Sequence, residues 1–186
     1  MDAEMVRDYA LAVSGLLSRE MYGPGTKPYQ PTGIWEVVGL AGGDTRNYVQ
    51  DKGKNLYRRT VYHFWKRMAA PPNMVAFNAP SREYCAVSRE RTNTPLQALI
   101  TLNDPQFVEA ARKLAELALL ETDGSDQAMI DFITDRALSR ALKDREIEIV
   151  QASKQHLHEY YQAHVDDAKS LLAVRSEEHT SELQSR

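Results

Sequence analysis

The chain has 186 residues, enough for about one domain. Hydrophobic residues make up 42% and charged residues 26%, near globular averages, and the formal charge of −3 gives no global case for a nucleic-acid partner. One cysteine, Cys85, excludes an internal disulfide and every Cys-x-x-Cys metal, redox or haem-attachment motif. No stretch approaches the roughly 18 apolar residues of a membrane span, and acidic side chains stand where a signal peptide would be basic.

The first expected helix runs from Asp2 to Leu17, with Met5, Tyr9, Ala12, Val13, Leu16 and Leu17 as its apolar stripe. Gly15 lies inside that pattern and weakens it. Three prolines and three glycines between Gly23 and Gly33 forbid regular structure there. Trp35, Val37, Val38 and Leu40 suffice for a short strand or one helical turn. A second helix is expected from about Asn55 to Met68, its face formed by Tyr57, Val61, Phe64, Trp65 and Met68. Pro71-Pro72 stops it, and the stretch from Asn73 to Asn93 reads as irregular.

Thr94-Pro95-Leu96-Gln97 is the best-specified local signal. Threonine at the N-cap, proline at the first helical position and glutamine two residues after it form a capping box. Leu96, Leu99, Ile100 and Leu102 supply the expected core face of that short helix. Asp104-Pro105 caps the next, which carries Phe107, Ala110, Ala111, Leu114, Leu117 and Ala118. After a turn at Thr122–Ser125, Met129, Ile130, Ile133, Ala137 and Leu138 mark another helix. A last one, from about Asp144 to Val174, has Ile147, Val150, Leu157, Tyr161, Ala168 and Leu171 at near-heptad spacing. All eight prolines lie at or before Pro105, and eight of the nine glycines between Gly15 and Gly53. The expected fold is therefore mainly α: an irregular multi-helix domain with a long proline-, glycine- and aromatic-rich loop layer in its N-terminal half.

Residues 175–186 are set apart. Arg175 to Ser185 read as the in-frame translation of a common sequencing adapter, so residues 1–174 are taken as one domain and the tail as non-biological. The natural C-terminus is then expected to differ, and His179 is dropped as a candidate ligand.

Several runs occur in a fixed order: Tyr57 to Arg67, Pro71-Pro72-Asn73-Met74, Phe77 to Glu83, Arg89 to Leu99, and Leu102-Asn103-Asp104-Pro105. Arg7-Asp8, Ser14 to Leu17, Lys27 to Pro31 and Gly33 to Glu36 precede them. Together they resemble the C-terminal domain of unknown function of planctomycete multi-domain cytochrome c-like proteins, over roughly residues 1 to 142. The resemblance implies an accessory domain, truncated here, of an exported or periplasmic protein. It implies haem c only in an upstream domain, with none in this segment. Two departures stand out. Asn78 replaces a more usual aspartate, which is either the loss of a functional acid or a neutral exchange at a turn. Ala141-Leu142-Lys143 lacks a typical proline, putting the inter-helix turn there in doubt.

The densest polar constellation is Arg82, Glu83, Arg89, Glu90 and Arg91. It could bind an anion or sulfated sugar through arginine forks, or pair internally and hold irregular chain onto the helices. The second reading is preferred, with the arginines in buried pairs. The expected function is binding or structural: packing on the haem-bearing or central domain, or contact with a polysaccharide or another exported protein. The rival is a polysaccharide-active hydrolase using Glu83 or Glu90 beside those arginines. Arg58, Arg59, Lys66 and Arg67 beside Trp65 and Tyr62 form a cationic face that could read as a nucleic-acid patch, but the overall charge and the implied export argue against it, and no nucleic-acid partner is expected. His156, His158 and His164 lack the i, i+4 spacing of a helical zinc site, so no metal is expected. Cys85 is expected to be buried. Trp35, Trp65, Thr94, Pro95, Gln97, Asp104 and Pro105 are read as structural.

Overall fold

The structure, a computed structural model, describes residues 1–31, 33–35, 48–66, 70–81 and 83–174. It is mainly helical. Seven α-helices lie wholly within the described residues: α1 Ala3–Val13, α2 Pro72–Ala76, α3 Pro95–Asn103, α4 Pro105–Glu121, α5 Asp126–Leu138, α6 Asp144–Ala163 and α7 Val165–Ala173. Among those residues the only extended pairing is two isolated bridges, Ser18 with Arg58 and Thr26 with His63. Val37, Val38, Leu40, Arg67, Met68, Arg82 and the tail from Arg175 lie outside the described residues.

Helix α1 is shorter than its apolar pattern suggests. Gly15 adopts a φ of +77°, the left-handed conformation that ends helices, and the Leu17 N–H turns back to the Leu11 carbonyl. The buried face also differs. Ala3, Arg7 and Leu11 point inward, followed by Ser14, whereas Met5 and Tyr9 are exposed. Tyr9 donates its hydroxyl to the Ala137 carbonyl, and Arg136 Nε reaches the Val13 carbonyl at 3.0 Å, so α5 closes over this side.

The expected helix from Asn55 to Met68 does not form. Gly53–Tyr57 and Thr60–Tyr62 are single 3₁₀ turns separated by extended backbone at Arg58. An α-helix here would bond the Thr60 N–H to the Leu56 carbonyl. Instead Arg7 Nη2 takes the Leu56 carbonyl at 2.6 Å, and Asp8 Oδ1 takes the Thr60 N–H at 2.7 Å. Two consecutive residues of α1 thus occupy both halves of a helical hydrogen bond and hold the segment open. Val61, expected on the core face, is exposed.

Leu11, Leu56 and Tyr57 form the apolar core, with Leu16 and Leu17 against it. Helix α4 crosses this core and adds Ala110 and Ala118 together with a buried polar pair, Tyr57 Oη donating to Glu109 Oε1 at 2.7 Å. The turn after α5 is present without proline. Ser139 takes a φ of +52°, and Glu146 accepts both the Lys143 N–H and a two-pronged contact from Arg140 at 2.7 and 2.9 Å. The expected single last helix is two. His164 breaks it at φ −124°, and Asp166 and Asp167 stabilise the new N-terminus of α7. No residue of α6 or α7 is buried. The pair is attached by Lys154 to Asp126 and by Arg112, which donates to the Leu172 and Val174 carbonyls at 2.6 and 2.9 Å.

Candidate functional site

The arginine–glutamate loop follows α2, whose end is turned by Asn78 at a φ of +58°. Asparagine tolerates that conformation better than most residues. Its Nδ2 donates to the Glu90 carbonyl at 3.3 Å and to Thr92 Oγ1 at 2.8 Å. An ionised aspartate has no donor for the Glu90 carbonyl, so here the amide clips the two arms of the loop together.

Between those arms, residues 83–93 are exposed. The loop is held onto the helices, but in a different way from the expected buried internal pairs. Arg89 pairs with Glu4 at 2.6 Å and Arg91 with Asp2 at 3.4 Å, both carboxylates in or next to the first turn of α1. The Arg91 side chain is 70% exposed, so its pair is a surface contact. Glu83 and Glu90 lie in exposed chain; the Glu83 N–H is turned onto Ser81 Oγ at 3.3 Å. Cys85 is exposed, contrary to expectation, because its loop projects from the helices instead of tucking beneath them.

The loop runs into α3 through the capping box. Gln97 N–H donates to Thr94 Oγ1 at 3.3 Å, and Gln97 Oε1 accepts the Thr94 N–H at 3.2 Å. Gln97 is also the buried residue of α3, its Nε2 donating to the Ala76 carbonyl and to Thr92 Oγ1. Leu96, Leu99 and Leu102, expected in the core, therefore face outward. Leu96 and Leu99, with Tyr29, Pro72 and Pro105, line an apolar groove of about 470 Å³. Asp104 caps α4 through the Gln106 N–H at 2.9 Å and receives Asn73 Nδ2 at 3.2 Å.

The aromatic residues divide. Trp35 is buried, stacked on Tyr48 at 5.1 Å and tilted against Phe64 at 5.6 Å, with Lys66 Nζ 5.9 Å from its ring; Trp65 is only half-buried. Burial and then the nearby Asp51 push the Tyr48 hydroxyl well above the usual tyrosine range, with Arg7 opposing. Arg58 does not share an exposed cationic face with Arg59, because it turns inward and is 4% exposed. His156, His158 and His164 are exposed on α6 or just after it, and no group of three His, Cys, Asp or Glu side chains among the described residues is arranged to hold a metal.

Residues 1–153 match the family model described as PSD1: Protein of unknown function (DUF1553). The chain belongs to this family. No curated protein and no solved structure matches it. The PSD1 match takes in α1 to α5 and ends partway along α6. Inside it, the residues that sequence reasoning passed over form the polar centre of the PSD1 domain. Arg7 is 4% exposed and donates to Gln106 Oε1 at 2.8 Å, Thr60 Oγ1 at 3.1 Å and the Arg58 carbonyl at 2.9 Å, besides Leu56. The available signal was spacing: Ala3, Arg7 and Leu11 recur every four residues, but an arginine is not counted as a core residue by hydrophobic periodicity.

Proposed function

We propose that this PSD1 domain is a non-catalytic docking module for the domains that precede it in an exported cytochrome c-like polypeptide, where haem c would be held upstream. The observation that carries this reading is the attachment of the loop to the first turn of α1 through Arg89 and Arg91. A domain joined to residue 1 emerges on this face, where Val87 lines a pocket with Asp2; Met1, Met5 and Tyr84 are exposed as well. Beyond the polar stretch from Ser88 to Thr94, Leu96 and Leu99 of α3 are exposed too. Apolar side chains presented on an ordered loop and helix beside a chain entry suit packing between domains. Glu83 and Glu90 are both exposed, and neither is among the residues lining the pocket that this loop forms with Asp2, so catalysis is the weaker reading.

Hydrogen exchange on the full-length polypeptide and on this chain tests the reading. Backbone amides of residues 84–99 should exchange more slowly in the longer chain, and Val87→Asp with Leu99→Asp should remove that protection. Unchanged exchange would overturn the docking role. An upstream reading frame without a Cys-x-x-Cys-His motif would overturn the cytochrome context.

A further inference from the structure

The loop from Glu20 to Thr26, together with Asp51, Asn55 and Arg58, lines a polar pocket of about 440 Å³. Arg58 is its unusual member. Its guanidinium is buried, donates to the Tyr22 and Pro24 carbonyls and stacks 4.0 Å over the Tyr62 ring. Among the described residues no carboxylate pairs with it, and its Nε–H has no acceptor. Arginine carries five N–H donors; the Nε–H is enclosed, and the two Nη groups, each bonded to one carbonyl, keep their remaining hydrogens for the pocket. Buried charges are normally compensated more fully than this.

The other groups decide the kind of ligand. Glu20, paired with Lys54, and Asp51, bonded to the Lys27 N–H, bring negative charge to the same pocket. A free anion meets two carboxylates there and a cation meets Arg58. A neutral molecule rich in hydroxyls meets neither penalty, because each hydroxyl can accept from Arg58 or Asn55 and donate to Glu20 or Asp51. Tyr22 is 80% exposed at the rim, held at a φ of +67° with its N–H on the Tyr62 hydroxyl. Its ring offers the flat apolar face against which the C–H side of a sugar ring packs. We propose that this pocket is a saccharide-binding site for neutral sugar units. It shares no residue with the docking face and does not depend on that reading.

The test is calorimetric titration of the whole chain with neutral hexasaccharides of glucose, xylose, mannose and galactose, with sodium sulfate and lysine as ionic comparisons. At least one neutral hexasaccharide should bind with a Kd of about 1 mM or tighter. Tyr22→Gly, which keeps the left-handed backbone, and Asn55→Ala, on an exposed position, should each weaken it by about tenfold. Leu99→Asp, in the docking face, should leave it unchanged. Failure of all four sugars, binding unaffected by Tyr22→Gly and Asn55→Ala, or binding of sulfate or lysine in their place would each overturn the proposal. Should Tyr22→Gly unfold, Asn55→Ala alone decides.

Discussion

Arg7 occupies the position on α1 where a helix normally buries a leucine, yet it serves as a polar hub with four acceptors spread over residues 56 to 106. Its guanidinium substitutes for backbone hydrogen bonds that the 3₁₀ segments cannot make for themselves. Arg7→Met keeps an unbranched, though shorter, side chain and removes every donor, leaving two buried carbonyls and the Gln106 amide oxygen unsatisfied. The expected loss is about 3 kcal/mol or more in a chemical denaturation curve. A loss under about 1 kcal/mol would mean that water replaces the guanidinium at little cost. The loop arginines give the opposite expectation: a surface pair such as Arg91 with Asp2 contributes little, and its removal belongs near the bottom of the range.

At the scale of the element, two helix starts carry testable weight. Thr94→Ala removes one half of the reciprocal box and should cost about 1 kcal/mol; a neutral result would place the start of α3 elsewhere. At the start of α6, Arg140 and the Lys143 N–H hold the Glu146 carboxyl down to about 2 from an ordinary 4.5. A depressed folded-state value means that the cap contributes fully above the ordinary value and is lost as pH falls through the lowered one. The Lys143 amide resonance should therefore titrate with a midpoint near pH 2, and Arg140→Ala should move that midpoint upward. A midpoint near pH 4.5 in the parent would contradict this cap. The start of α3 was legible in the sequence because its cap is a local event, decided within four residues. The sequence places the last helix from about Asp144, but its cap was not read and the turn before it was in doubt. The segment from Asn55 to Met68 was not legible. Its helical period is real, but the partners that override it, Arg7 and Asp8, lie about fifty residues away, where no window of periodicity reaches. The binding candidates fared similarly: the loop's attachment was anticipated, while its carboxylate partners sat on α1 and not within the loop.

Across the whole molecule, stability is uneven. The buried residues belong to α1 to α5 and the segments between them, and α6 and α7 contribute none. Truncation after Lys143 should therefore shift the melting midpoint by only a few degrees, and amides of α6 and α7 should exchange far faster than those of α1 and α4. A drop beyond about 10 °C would show that the terminal pair supports the core through contacts other than burial. The mainly helical class and the order of the later helices followed from composition and period, since helices rich in local contacts announce themselves locally. The N-terminal half did not yield in that way, because polar side chains shape its backbone and their partners are remote.

The hub at Arg7 also bears on how the chain is made. Its side chain cannot complete its contacts until Gln106 exists, 99 residues later. At roughly 5–20 residues per second, a ribosome needs about 5–20 s to supply that partner. In the second half of this interval, once residues 56 and 58 are made, their carbonyls can be met, but α4 is not there to close the site. The N-terminal half is thus expected to emerge as a waiting intermediate, recruited into the native structure only when α4 arrives. Slowed translation between the codons for residues 60 and 106 would lengthen the exposure of Leu11, Leu56 and Tyr57, the surface most prone to mispairing.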